Sequence, residues 1–184
     1  TRYSGDWSSD VCSSDLSLAY ARHYPAINWN NSYSEYIGDL SKWYNENIGE
    51  DFLKYREEIC SILLDENSLM EIVKLIGADV LPDDQKLVIE IARVVRVGFL
   101  QQNAFHADDT FVSLEKQMKM MQVILHLYHK CKKIVAKQIP ISKIIQLGVF
   151  DKLVKMKYDI PNNRLDMFDE YITEIDNALA AYLK

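Results

Sequence analysis

The two residues that punctuate backbones are scarce: six glycines and four prolines in 184 positions. So little turn chemistry argues against a turn-rich all-β fold and against disorder, and favours long helices. Phosphate-cradling glycine motifs are missing too. There is no GxxxxGK[ST], no Gly-Lys dipeptide, no GxGxxG and no GxSxG. A phosphate loop, a dinucleotide fingerprint and a nucleophile elbow are therefore not encoded. No Glu-x-x-His occurs, which argues against a di-iron bundle. No apolar run approaches the ~18 residues a membrane span needs, and no signal peptide is visible. Cys12, Cys60 and Cys131 form no CxxC pair. An odd, scattered set reads as reduced thiols in a cytosolic protein. Positive charge is in the minority: 21 Lys and Arg stand against 27 Asp and Glu, for a net charge of −6. Nucleic acid and anionic membrane surfaces are poor partners for such a chain.

What is present is an ordinary globular composition, 48% apolar and 26% charged. It fits one domain, or one domain with an appendage. Thr1–Leu16 stands apart. It is rich in Ser and Asp and shows neither helical nor strand periodicity. Asp6–Leu16, DWSSDVCSSDL, resembles the translation of a short-read sequencing adapter. This leader is read as non-native or disordered and is set aside, with Trp7 and Cys12.

The remainder reads as helices. Ser17–Asn28 carries Pro25 and is expected to be a short strand ending there. Tyr33, Tyr36, Ile37, Leu40, Trp43 and Tyr44 then recur at spacings of three and four, the face of a helix capped by Asn31 or Ser32. A second helix is expected from about Asp51 to Ile76, kinked at Asp65–Ser68 and stopped by Gly77. After an acidic connector, Leu87, Val88, Ile91, Val95 and Phe99 mark a third. Ser113 caps a long helix to about Gln138, with Glu115 in its first turn. Pro140 opens a short helix broken at Gly148. Leu165, Phe168, Ile172, Ile175, Leu179 and Tyr182 stripe the last one. The expected fold class is all-α: a helical bundle with a short N-terminal remnant strand.

Chemistry-bearing clusters are few. His126 and His129, three apart and near Cys131, have one possible metal spacing but no supporting acid; solvated or partly buried helix positions account for them better. Lys130, Lys132, Lys133, Lys137 and Lys143 read as a solvated face near a helix end. The stretch Gln101–Phe111 is irregular and carries Phe105 and Phe111. Loop aromatics of this kind are either core plugs or ligand platforms.

Three motifs settle on a resemblance. HYPAINW (His23–Trp29), LIGADVLP (Leu75–Pro82) and FLQQNAFH (Phe99–His106) resemble, in family order, the C-terminal part of the catalytic A subunit of V-type and A-type rotary ATPases. The resemblance covers Ser17 to Lys184. It implies that residues 17–31 end a nucleotide-binding domain and that residues 32–184 form a helical C-terminal domain. Tyr24, before Pro25 and Ala26, matches the aromatic that stacks on the adenine of ATP or ADP. Ala104 and Phe105 match the other wall of that pocket, with Gln102 as a weaker polar contact. Asp79, Val80, Leu81, Pro82, Asp83 and Asp84 align with the loop that meets the central rotor stalk, although this version is less acidic than the F-type one. The implied partners are the B subunit, in an alternating ring, and the rotor stalk. The implied location is cytoplasmic, peripheral to the membrane, and the implied work is ATP hydrolysis or synthesis coupled to proton or sodium transport. Catalytic residues and the magnesium ligands would lie outside this chain, so it is expected not to turn over ATP by itself. The reading from another class is a stand-alone helical interaction module.

Overall fold

The computed structural model describes residues 10–183. In chain order the elements are β1 (Asp10–Val11), α1 (Leu16–Tyr20), β2 (Tyr33–Ser34), α2 (Tyr36–Asp39), α3 (Ser41–Asn47) and α4 (Phe52–Ile76). A single 3-10 turn (Ala78–Val80) leads into α5 (Asp83–Val94), which runs on as a π-helical turn (Val95–Leu100). Then come α6 (Ala107–Thr110), α7 (Leu114–Ala136), α8 (Ile141–Ile145), α9 (Val149–Asp159) and α10 (Met167–Leu183). The architecture is all-α, as expected.

The bundle is built around α5 and α7. α5 packs on α4, α7, α8 and α9, and α7 packs on α4 and α10 as well. Each presents an apolar stripe at helical spacing. α5 buries Leu87, Ile91, Ala92 and Val94, and α7 buries Met120, Val123, Ile124, Leu127, Cys131 and Ile134 among others. The α7 start is where the capping signal puts it: Ser113 Oγ accepts from the Lys116 amide at 3.2 Å, satisfying one orphan N–H of the first turn. α4 ends at Gly77, whose φ of 86° suits a residue without a Cβ.

Several expectations are corrected. α4 runs through Asp65–Ser68 as one continuous helix. The face from Tyr33 to Tyr44 is split between β2, α2 and α3, with no side-chain cap on α2. None of its residues is fully buried, and its packing on the core is at its end, where Tyr44 stacks on Phe52 with ring centroids 5.0 Å apart, so packing does not enforce one continuous helix. α10 starts at Met167, and its buried stripe is Phe168, Tyr171, Ile175 and Leu179. Pro82 is the residue just before α5, in extended conformation.

Ser17–Asn28 does not form the remnant strand. The segment begins inside α1, capped by Asp15, and its single β-bridge is Ile27 to Ser14. The leader is not free-standing in its described part either. Asp10–Val11 pairs antiparallel with Tyr33–Ser34. The Asp15 amide donates to the Ala26 carbonyl, the Asn28 amide to the Ser13 carbonyl, and Asn28 Nδ2 to Asp15. Main-chain pairing needs no apolar period, so a periodicity search does not see it. Residues 1–9 of the leader lie outside the described residues.

Candidate functional site

α5 and its π-helical turn deliver the chain to the loop Gln101–His106. In the turn, the Gln101 amide donates to the Arg96 carbonyl at 2.8 Å, a bond spanning five residues. π-turns of this kind concentrate at functional sites. The same carbonyl receives His23 Nε2 at 3.0 Å. A carbonyl only accepts, so Nε2 carries the proton. His23 is the buried residue of its segment, at 8% exposure, and its ring lies 5.4 Å from that of Trp29.

Two further bonds tie the segments together. The Gln102 amide donates to the Tyr24 carbonyl at 2.7 Å, and Gln101 Nε2 to the Arg22 carbonyl at 3.4 Å. The two stretches holding Tyr24, Pro25, Gln102, Ala104 and Phe105 are thus joined through the main chain, 78 positions apart by number (102 minus 24). The Tyr24 side chain is 55% exposed and Phe105 is 99% exposed. Phe105 is therefore no core plug in this chain. Its amide is held by Asn103 Oδ1 at 3.0 Å, and the Ala104 carbonyl accepts from Thr110 Oγ1 at 2.9 Å. Gln102 is exposed and borders a cavity of about 240 Å³ with Phe99, Asp109 and Gln117.

The loop is clamped from below by charges that the sequence pattern does not single out. Lys157 of α9 donates to the Gln101 carbonyl and lies 3.6 Å from Asp109. Asp109 accepts from the Asn103 amide at 2.7 Å. Lys116 of α7 donates to the carbonyls of Lys157 (3.0 Å), Ile160 (2.8 Å) and Asp108 (3.2 Å). Asp109, Lys116 and Lys157 are all buried. Desolvation pulls both ammonium groups below the ordinary lysine value; Asp109 opposes it at Lys157, and Asp108 and Asp109 oppose it at Lys116. A second buried charge, Glu66 of α4, meets Arg96 Nη1 at 2.8 Å. Burial raises the Glu66 pKa and the Arg96 charge works against that rise.

The connector between α4 and α5 divides its residues. Asp79, Val80, Pro82 and Asp84 are exposed. Leu81 is 5% exposed and so offers little side-chain surface to a partner. Asp83 is half-buried and accepts from the Ile141 amide at 3.4 Å, and Lys86 Nζ holds the Asp79 carbonyl at 2.9 Å. Around this tip Leu75, Ile76 and Val80 expose apolar surface.

The histidines of α7 go separate ways. His126 Nε2 is 2.7 Å from Asp176 and His129 Nε2 is 2.6 Å from Glu58, while Cys131 is fully buried. Among the described residues no cluster of three ligands for a metal forms.

A bundle of this kind, carrying an exposed aromatic loop clamped by buried charge, defines a helical domain with a built surface rather than a bare scaffold. A family model described as the C-terminal domain of V and A type ATP synthase matches residues 41–145, and the chain belongs to that family. The match takes in both loops described above and leaves Tyr24 outside. The V-type ATP synthase alpha chain 2 of Clostridium tetani is 57% identical over 148 residues, 80% of this chain and 25% of that protein. The V-type ATP synthase alpha chain of Halothermothrix orenii is 49% identical over 162 residues, 88% of this chain and 28% of that one. The V-type ATP synthase alpha chain of Clostridioides difficile is 40% identical over 170 residues, 92% and 29% respectively. The chain spans about a quarter of the length of the curated relatives it matches.

Proposed function

We propose that this chain is the C-terminal helical domain of an ATP-binding catalytic A subunit, in a rotary ATPase that couples ATP hydrolysis or synthesis to proton or sodium transport. Its own contribution is an adenine-facing surface and a lever. The observation that carries the first part is the Gln102–Tyr24 main-chain bond, which holds two exposed aromatics on joined segments. Aromatic faces suit a purine because stacking needs a π-surface and no particular edge pattern. Turnover rests on a phosphate cradle, whose glycine-rich motif this sequence lacks, and on magnesium ligands and a water-orienting group that this reading assigns to the rest of the subunit.

The lever is the connector tip. It offers two exposed carboxylates, Asp79 and Asp84, beside exposed Leu75, Ile76 and Val80. Contact with a rotor stalk there is mixed apolar and polar rather than charge-led. A B subunit in an alternating ring, and the stalk itself, are the partners this reading requires. It also places the domain at the cytoplasmic side, peripheral to the membrane. No helix among the described residues is long and apolar enough to cross a membrane.

The test is nucleotide titration of a complete subunit built with these residues. Tyr24→Ala and Phe105→Ala should each weaken binding by about 5- to 150-fold, the loss of one stacking face at roughly 1–3 kcal/mol. The double variant should fall short of the product, because both rings would grip one base. Unchanged affinity in both single variants, with folding intact, returns the domain to the stand-alone interaction-module reading.

A further inference from the structure

Deep under the exposed loop lies a feature that adenine stacking does not explain. A loop side chain that is 99% exposed has no packing of its own to fix its position. Whatever holds Phe105 must act through the main chain of residues 101–104. Beside the Arg96, Tyr24 and Thr110 bonds already described, two buried charged side chains do so, one on each flank. Lys157 holds the Gln101 carbonyl from α9, and Asp109 holds the Asn103 amide from α6. They also face one another at 3.6 Å with both side chains 2% exposed. Lys116 then fastens the end of α9 itself, by the carbonyls of Lys157 and Ile160, to α7. His106, at the loop's far end, rests edge-on against Tyr158 of α9, with ring centroids 4.9 Å apart.

Stability alone is a poor reason for this arrangement. Burying a lysine and an aspartate costs desolvation that well-packed apolar residues of the same size avoid. An apolar pair, however, could not grip a carbonyl and an amide. The arrangement gives the loop a directional hold, and that is what a stacking platform needs if its ring is to stand at one height and angle.

We propose that Lys157 and Asp109 are positioning residues for the base of the bound nucleotide: they set the pose of Phe105 through the loop main chain and touch no ligand. The proposal rests on the adenine-stacking reading. It separates two parts of nucleotide binding. The triphosphate is held elsewhere in the complete protein, so loss of the positioning pair should be felt only by ligands that carry a base.

The experiment uses a complete catalytic chain built with these residues and two probes, ATP and ribose 5-triphosphate, which lacks the base. Lys157→Met removes the grip on Gln101. Asp109→Asn keeps an oxygen for the Asn103 amide, removes the charge facing Lys157, and conserves volume should Lys157→Met fail to fold. Each variant should lose affinity for ATP by about 5-fold while its affinity for ribose 5-triphosphate stays at the parent value. In turnover the same loss should appear in KM and not in kcat, because the base is distant from the reacting phosphate. A purely structural role would weaken both probes together, and that result overturns the proposal. Phe105→Ala is the reference. If it lowers the ATP to ribose 5-triphosphate preference and Asp109→Asn does not, the positioning role is wrong and the stacking reading stands. If Phe105→Ala leaves that preference unchanged, the stacking reading falls and takes this proposal with it.

Discussion

Residues 11–51 and residues 52–183 handle apolar surface in opposite ways. The second region buries it: every helix from α4 onward except α6 gives at least two apolar side chains to one shared core. The first region has a single buried side chain among its described residues, His23, and shows Tyr20, Tyr33, Tyr36, Leu40 and Trp43 to the outside. Both regions carry aromatic or apolar residues at regular spacing. Spacing says that a face exists; only a neighbour within reach says whether the face is covered.

Cutting one aromatic from each region gives the largest expected contrast. Phe168 is fully buried in α10. Phe168→Ala should cost about 3–5 kcal/mol, the sum of lost transfer energy and an incompletely closed cavity. Tyr36 is 49% exposed, and Tyr36→Ala in this chain should stay within about 0.5 kcal/mol. Urea denaturation of both variants measures the pair. Similar losses would erase the distinction between the regions.

Next in size is the buried charge of α4. Removing Arg96 leaves Glu66, 4% exposed, facing no cation. Arg96→Met should cost about 2–3 kcal/mol near neutral pH, toward the lower end for an orphaned buried charge because Arg96 itself is partly exposed. The sign with pH follows from burial, which raises the Glu66 pKa in the folded state. The folded state then binds the proton more tightly than the unfolded one. Its stability contribution is present below the unfolded value of about 4.3 and is lost as pH rises through the folded value. Without Arg96 to oppose the rise, that window should extend upward. Melting curves of Arg96→Met from pH 4 to pH 8 should fall more steeply than those of the parent, and Glu66→Gln in the same background should remove the extra slope. A parallel pair of curves would show that Arg96 does not hold Glu66 ionised.

The smallest effect concerns the leader. Deleting residues 1–16 removes the β1–β2 pairing and the bonds from Asp15 to Asn28 and Ala26. Those groups are mostly half-exposed, and net hydrogen-bond worth there is small. The expected cost is about 1 kcal/mol, read by the same denaturation. No change at all would mean that these pairings add nothing in solution.

The sequence and the structure agree best where one element suffices to explain itself. The α7 start is visible from Ser113 and Glu115, and the α4 stop from Gly77, because caps are local chemistry. The bundle stripes are visible because each helix buries one face. For the loop, the motif FLQQNAFH marks where to look, and the exposed Phe105 fits a platform. The clamp under it is not legible. Lys116 and Lys157 have the spacing of ordinary helix-surface lysines, and all the hydrogen-bond partners of their ammonium groups but the Asp108 carbonyl lie 41 to 56 positions away along the chain. Nor does any residue pattern announce a π-turn at Val95–Leu100; the spacing puts Phe99 on the α5 stripe, and the turn leaves it half-buried instead. Leu81 reads as part of a partner-facing loop until the fold turns its side chain inward.

Gly98 has a wider consequence. A Cβ built there would come within 3.0 Å of the Val154 Cα and 3.2 Å of the Leu153 carbonyl oxygen. The π-turn and α9 therefore meet main chain to main chain. Main-chain dimensions are the same whatever the side chains are. The loop that follows is levelled against a datum that cannot drift as α9 changes its residues over generations. Surface substitutions along α9 leave that level where it was, and a single methyl group at position 98 would lift it.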